Sequence, residues 1–128
     1  MRDYTKIQAW RLADDLAVTI YERTRRFPRE ELYGLTAQLR RAACSVPSNI
    51  AEGAARESKH DYLRFLYIAR GSLAETQYLI HLSYRLGYLT DIDYRGLTEQ
   101  VQIVFARLQG LIRAVQHEIG VSCPTRRR

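Results

Sequence analysis

Apolar residues recur every three or four positions through four successive segments, and that spacing leaves few folds open to the chain. Trp10, Ala13, Ala17, Ile20 and Thr24, with Leu16 beside them, form the first stripe, and Leu32, Leu35, Leu39, Ala42 and Val46 form the second. At 3.6 residues per turn such positions share one helix face, which must bury itself against other helices. With 128 residues, the chain is large enough to bury about two-thirds of its unfolded surface as one domain. Seven glycines and three prolines among many Leu, Ala, Arg, Gln and Glu favour helix throughout. The links are short, and neither an internal repeat nor a low-complexity segment interrupts them. These features predict an all-α, antiparallel up-down four-helix bundle over residues 1–120, followed by a flexible basic tail over 121–128.

The segments can be placed in order. Helix one should begin near Thr5 or Lys6 and end before Phe27-Pro28, with Trp10 as a core or interface anchor. Helix two should start between Arg29 and Leu32, with Glu30 and Glu31 in its first turn, and end at Gly53 in a left-handed cap. Ser58 is expected to cap helix three, with Asp61 at the capping-box position. That helix, from about Lys59 to Leu86, carries two seams. Tyr62, Leu66, Ala69, Leu73, Thr76 and Ile80 make one. Phe65, Ile68, Ser72, Glu75, Leu79, Leu82 and Leu86 make the other. Two seams imply a central position or a subunit interface. Gly87 should close helix three, and Thr90 or Asp91 should cap helix four, whose seam is Leu97, Val101, Val104, Leu108, Leu111 and Val115.

Pro47 falls inside the second stripe, where it offers no N–H to the carbonyl of Ala43, so a kink or restart is expected there. Polar residues follow close to the face that should be buried. A structural polar network of Gln38, Ser48, Asn49, Glu52 and Glu75 is the simplest reading, with Glu75 held against Gln38. On that reading Asn49→Ala costs about 1–3 kcal/mol through an orphaned buried partner.

Charge is informative only in part. The formal net charge is +6, but Arg126, Arg127 and Arg128 supply half of it, leaving +3 for the body. Arginine outnumbers lysine eighteen to two, which suits bidentate phosphate contact and equally reflects genome composition. Arg23, Arg25, Arg26 and Arg29 form a basic corner, read either as a solvated helix end or as a phosphate-facing patch. Cys44 and Cys123 match no metal spacing and read as free thiols in a reducing cytoplasm. No apolar run is long enough to span a membrane, and Met1-Arg2-Asp3-Tyr4 lacks the apolar core of a signal peptide.

Phe27-Pro28, Glu31, Tyr33-Gly34-Leu35, Gln38, Arg41-Ala42, the run from Ser45 to Gly53 (SVPSNIAEG), Arg56, Arg64-Phe65-Leu66 and Ala69 to Glu75 (ARGSLAE) together carry a resemblance. The chain resembles, to about Ile119, the four-helix-bundle proteins encoded in intervening sequences of bacterial 23S rRNA. Trp10 fits the same pattern, whereas the basic tail does not belong to it. That family is similar to the accessory proteins of diversity-generating retroelements, which form ring-shaped homopentamers with a basic surface, bind nucleic acid and assist a reverse transcriptase. The resemblance therefore implies a ring-like homopentamer, and it gives the second seam of helix three a partner.

Three functions follow as expectations. The first is a nonenzymatic, homo-oligomeric nucleic-acid-binding accessory protein. Its phosphate contacts come from Arg23, Arg25, Arg26, Arg40, Arg41, Arg56, Lys59, Arg64 and Arg70. Nine tyrosines can stack on bases, although most fall where helices need bulk. No RNA-recognition aromatic pair, zinc finger or KH loop supports sequence-specific readout. The second is a scaffold for a protein such as a reverse transcriptase or a ribosome-associated factor. The third is an enzyme, with Glu52 and Glu75 as a carboxylate pair and Asn49 orienting a substrate. His60, His81 and His117 are dispersed, and no nucleophile elbow, metal motif or phosphate loop appears. The sequence thus favours no enzyme, no metal and no cofactor.

Overall fold

The computed structural model describes residues 2–120, and the expected basic tail and Cys123 lie outside the described residues. Four helices account for most of the chain: α1 (Gln8–Thr24), α2 (Leu35–Ala54), α3 (Lys59–Arg85) and α4 (Asp91–Ile119). Short 3₁₀ turns at Tyr4–Lys6 and Arg29–Glu31 precede α1 and α2. Among the described residues there is no strand, and no helix is long and apolar enough to cross a membrane. Each helix packs on two others, α1 on α2 and α4, and α3 on α2 and α4, leaving the diagonal pairs apart around one core.

The stripes read from the sequence form that core. Ala13, Leu16, Ile20, Leu39, Val46, Ile50, Leu66, Leu73, Ile80, Leu97, Leu108 and Ile112 are almost or fully sealed from solvent. In α4 the seam steps from Leu108 to Ile112 rather than to Leu111, which is only half-buried. A 3.6-residue turn drifts away from a strict 3.5 repeat, and four turns along α4 the drift has moved the seam by one position.

The caps divide into those read correctly and those the structure corrects. Ser58 accepts from the N–H of Asp61 at 3.1 Å, and Thr90 accepts from the N–H of Asp93 at 3.0 Å. Gly87 lies beyond α3 with φ +83°, in the left-handed region that favours glycine. Helix α2, however, begins at Leu35, later than Arg29 to Leu32. The 3₁₀ turn consumes Arg29–Glu31, and Glu31 Oε1 then accepts from the N–H of Leu35 at 3.1 Å, supplying the first turn from outside the helix. Leu32 consequently leaves the stripe, and it and the neighbouring Tyr33 are both exposed. The other oxygen of Glu31 accepts from the Tyr88 phenol at 3.0 Å, so one carboxylate joins the start of α2 to the link before α4.

Pro47 does not restart the helix. Its ring is buried and α2 continues through it to Ala54, so packing offsets the lost hydrogen bond. Gly53 is not a left-handed cap either: it is buried inside α2, and among the described residues only Gly87 and Gly120 have positive φ. Its role is steric. A Cβ at Gly53 would sit 2.8 Å from Phe65 Cβ and 3.2 Å from the Tyr62 carbonyl oxygen. Arg2 closes the same corner. Its guanidinium donates to the carbonyls of Ala54 (3.3 Å) and Arg56 (2.7 Å) while lying 4.4 Å from the Tyr62 ring centroid.

The two seams of α3 have different fates. Tyr62, Leu66, Ala69, Leu73, Thr76 and Ile80 are all buried. On the second, Phe65 and Leu79 are buried and Ser72 and Leu82 half-buried, whereas Ile68, Glu75 and Leu86 are exposed.

Two outcomes test this packing. Gly53→Ala gains about 1 kcal/mol of helix propensity but must push apart a Cβ and a carbonyl that cannot rotate away. A net loss of about 1–2 kcal/mol is expected in denaturant melts, and equal or higher stability would mean that α2 and α3 part freely. The second concerns Tyr88, whose pKa is raised above its ordinary value of 10.0 by the hydrogen bond to Glu31, with burial adding to it. The stabilisation is therefore complete below that ordinary value and is lost as pH rises through the raised one. Tyr88→Phe should melt below the wild type at neutral pH, and the gap should close in alkali. A gap that persists there would assign it to packing instead.

Candidate nucleic-acid interface

The nine basic residues singled out in the sequence divide according to whether an acid answers them. At the α2–α3 link, Arg56 faces Glu52 (3.5 Å) and Asp61 (3.7 Å), and Lys59 faces Glu118 of α4 at 3.8 Å. Arg64 donates through Nε and Nη2 to Asp61 Oδ1 at 3.1 and 2.8 Å. Both Arg56 and Arg64 also lie over the Phe65 ring, at 4.7 and 4.6 Å. Arg70 is half-buried, donating to Gln109 at 3.0 Å and lying over Tyr67. These four are partly spent on the bundle itself.

The other end of α2 differs. Arg23 faces Asp93 (3.3 Å) and Glu22 (3.8 Å), but Arg25, Arg26 and Arg41 are exposed and form no ion pair among the described residues. Arg40 is oriented without a carboxylate. Its Nε donates to the buried Thr24 hydroxyl at 2.8 Å, and its guanidinium carbon lies 4.6 Å from the Tyr21 ring centroid. Thr24 in turn donates to the Ile20 carbonyl at 2.7 Å, a tie that fixes Arg40 against the last turn of α1. Tyr21 also meets Cys44, whose Sγ donates to the phenol oxygen at 3.9 Å. The Tyr21 pKa is raised above 10.0 by its hydrogen bond with the Cys44 sulfur and by the negative charge that sulfur carries when ionised, burial adds to the shift, and Arg40 opposes it. Tyr21 is thus a neutral ring at physiological pH.

The central motif is rearranged relative to expectation. Asn49 is half-buried, but its Nδ2 donates to the carbonyl and the hydroxyl of Ser45, at 2.8 and 2.9 Å. The Ser45 hydroxyl is 2.9 Å from that of Ser72 on α3. The motif's hydrogen-bonded link between α2 and α3 is therefore Asn49–Ser45–Ser72. Gln38, Ser48, Glu52 and Glu75 are all exposed and take no part in it. They face outward because the bundle covers only one face of α2 and of α3, and their positions lie past its edge. Ser45 stands four residues before Asn49, and that spacing was the available signal. Ser72 could be matched to it only once the two helices were side by side.

Neither the carboxylates nor the histidines converge. Glu52 pairs with Arg56 rather than Glu75, and His60, His81 and His117 are all exposed. Among the described residues no group of three or more His, Cys, Asp or Glu side chains is placed to hold a metal ion.

The fold defines a small all-α, four-helix protein. Residues 5–110 match the family described as 23S rRNA-intervening sequence protein, and the chain belongs to that family. It is similar in fold to a crystal structure of a protein of unknown function from the S23 ribosomal protein family of Bacteroides thetaiotaomicron VPI-5482. The TM-score is 0.76 at 24% identity, covering 82% of this chain and 95% of that one. No curated protein matches the sequence.

The Asn49–Ser45–Ser72 contact sets a testable scale. Ser45→Ala and Ser72→Ala should each lower stability by about 0.5–1.5 kcal/mol, and the double variant should lose less than the sum. Additive losses in a double-mutant cycle would show that the two hydroxyls do not act together.

Proposed function

We propose that this protein is a nonenzymatic, homo-oligomeric accessory protein that binds the phosphate backbone of RNA or DNA. The observation that carries the reading is that Arg25, Arg26 and Arg41 are exposed without ion pairs among the described residues, while Arg40 is held in place by a hydroxyl and a ring. Guanidinium groups free of carboxylates retain their charge for an incoming phosphate, and Arg40 has already lost much of its rotamer freedom.

The subunit arrangement belongs to the same proposal. Ser45 meets Ser72, Gly53 faces Tyr62 and Phe65, Arg40 reaches Thr24, and Lys59 reaches Glu118. These pairings support an up-down order in which neighbouring helices run antiparallel. Exposed Tyr67, Ile68 and Tyr78 on α3 support burial by further copies, and the resemblance to retroelement accessory proteins supports a ring-like homopentamer. Five bodies at +3 would carry +15, a polyanion attractor that a single body is not. Such a protein would act in the cytoplasm.

A second reading, a protein-interaction scaffold, is favoured by exposed Ile92 and Ile103 on α4 and Leu86 after α3. Reversal of charge separates the two. Arg40 also ties α1 to α2, so the cleaner variant is Arg41→Glu combined with Arg25→Glu. In a filter-binding titration against mixed RNA and DNA, the wild type should lose affinity steeply with salt. The double variant should bind at least about tenfold more weakly, with a shallower salt slope. Light scattering should give a pentamer-sized mass for both. Salt-insensitive binding, or an unaffected variant, would remove the backbone-binding reading, and a ring that ignores nucleic acid would leave the scaffold.

A further inference from the structure

The basic end of α2 also carries the most exposed aromatic side chain of the described residues. Because α2 starts at Leu35, Tyr33 stands outside the helix with 93% of its surface exposed, and Leu32 beside it is 47% exposed. These two, with Tyr21, Arg40, Arg41 and Cys44, line a shallow open groove of about 510 Å³ between α1 and α2. Among the described residues no carboxylate lines it. The acids nearest in sequence are otherwise engaged or face solvent: Glu22 is paired with Arg23, Glu31 holds Leu35 and Tyr88, and Glu30 is exposed.

We infer that this groove is a stacking site for an unpaired base of a single-stranded polynucleotide, with Tyr33 as the stacking ring and Arg41 on the adjoining phosphate. The inference rests on the nucleic-acid reading above and narrows its ligand to strands whose bases are free. Aromatic faces next to uncompensated arginines are the combination that single-strand binders use, because every base offers a π-face and every linkage a charge. A duplex keeps its base faces stacked inside and can reach only the arginines. An apolar protein segment would have to desolvate two guanidinium groups for which the groove offers no acid. Arg40 over Tyr21 forms a second flat surface, fixed by Thr24 before any ligand arrives.

The test is fluorescence anisotropy on the full chain, at one salt concentration, with three labelled probes of equal length: oligouridylate, an abasic strand and a blunt duplex. Tyr33→Ala should weaken oligouridylate binding by about tenfold or more and leave the abasic strand and duplex within about twofold. Tyr33→Phe should keep the affinity, since stacking needs the ring and not the hydroxyl. Equal losses on all three probes, no loss on oligouridylate, or a Phe variant as weak as the Ala variant would each overturn the inference. So would a change of assembled mass in Tyr33→Ala, which would assign the groove to a second copy of the chain. If Tyr33→Ala is inert while Arg41→Glu still loses salt-dependent binding, the stacking site falls and backbone binding stands. If the wild type binds none of the probes, both fall together.

Discussion

The absence of a side chain at Gly53 is the constraint on which the rest of the bundle depends. With Phe65 Cβ and the Tyr62 carbonyl so near, α2 and α3 approach more closely there than two side-chain-bearing positions permit. That approach sets the pairing of the two helices along their length and brings Ser45 within hydrogen-bonding distance of Ser72. It also builds the corner that Arg2 seals, where a guanidinium from the start of the chain takes up two carbonyls at the end of α2. A long helix pair fixed in this way gives α1 and α4 a surface against which to close the core.

The same geometry determines which charges are available. Around the α2–α3 link the helix ends bring Glu52, Asp61 and Glu118 up to Arg56, Lys59 and Arg64, and those cations serve partly as surface ties. Exposed pairs of this kind contribute little to stability, but they reduce the positive field that a phosphate would meet. At the other end of α2 the chain supplies arginines without matching acids, and Thr24 and Tyr21 hold Arg40 by a hydroxyl and a ring. A modest net charge is thus distributed unevenly, and its uneven distribution, more than its size, supports the reading as a polyanion-binding surface.

Much of the fold was legible because its determinants are local. The apolar stripes, the Ser58 and Thr90 caps and the turn at Gly87 each depend on residues within a few positions of one another. The errors also have local causes. Glu31 looked like a first-turn acid and instead caps α2 from outside, which pushes Leu32 and Tyr33 into solvent. Gly53 looked like a helix end because a glycine near a predicted link ordinarily is one. Glu75 fell on an apolar seam of which Phe65 and Leu79 are buried, yet its own position lies past the edge of the packed face and the carboxylate is exposed.

By itself, the sequence determined four helices, their approximate limits and most of the core, because periodicity and capping act over one or two turns of chain, and its motifs between Phe27 and Glu75 carried the resemblance to the family. Only the tertiary structure decided which arginines are answered by acids, that Ser45 pairs with Ser72, that Gly53 is a contact rather than a cap, and that Tyr33 stands free beside Arg41. Those outcomes depend on which side chains from distant segments arrive at the same place. A charge or a ring in a sequence does not carry its neighbours with it, and its chemistry is set by those neighbours.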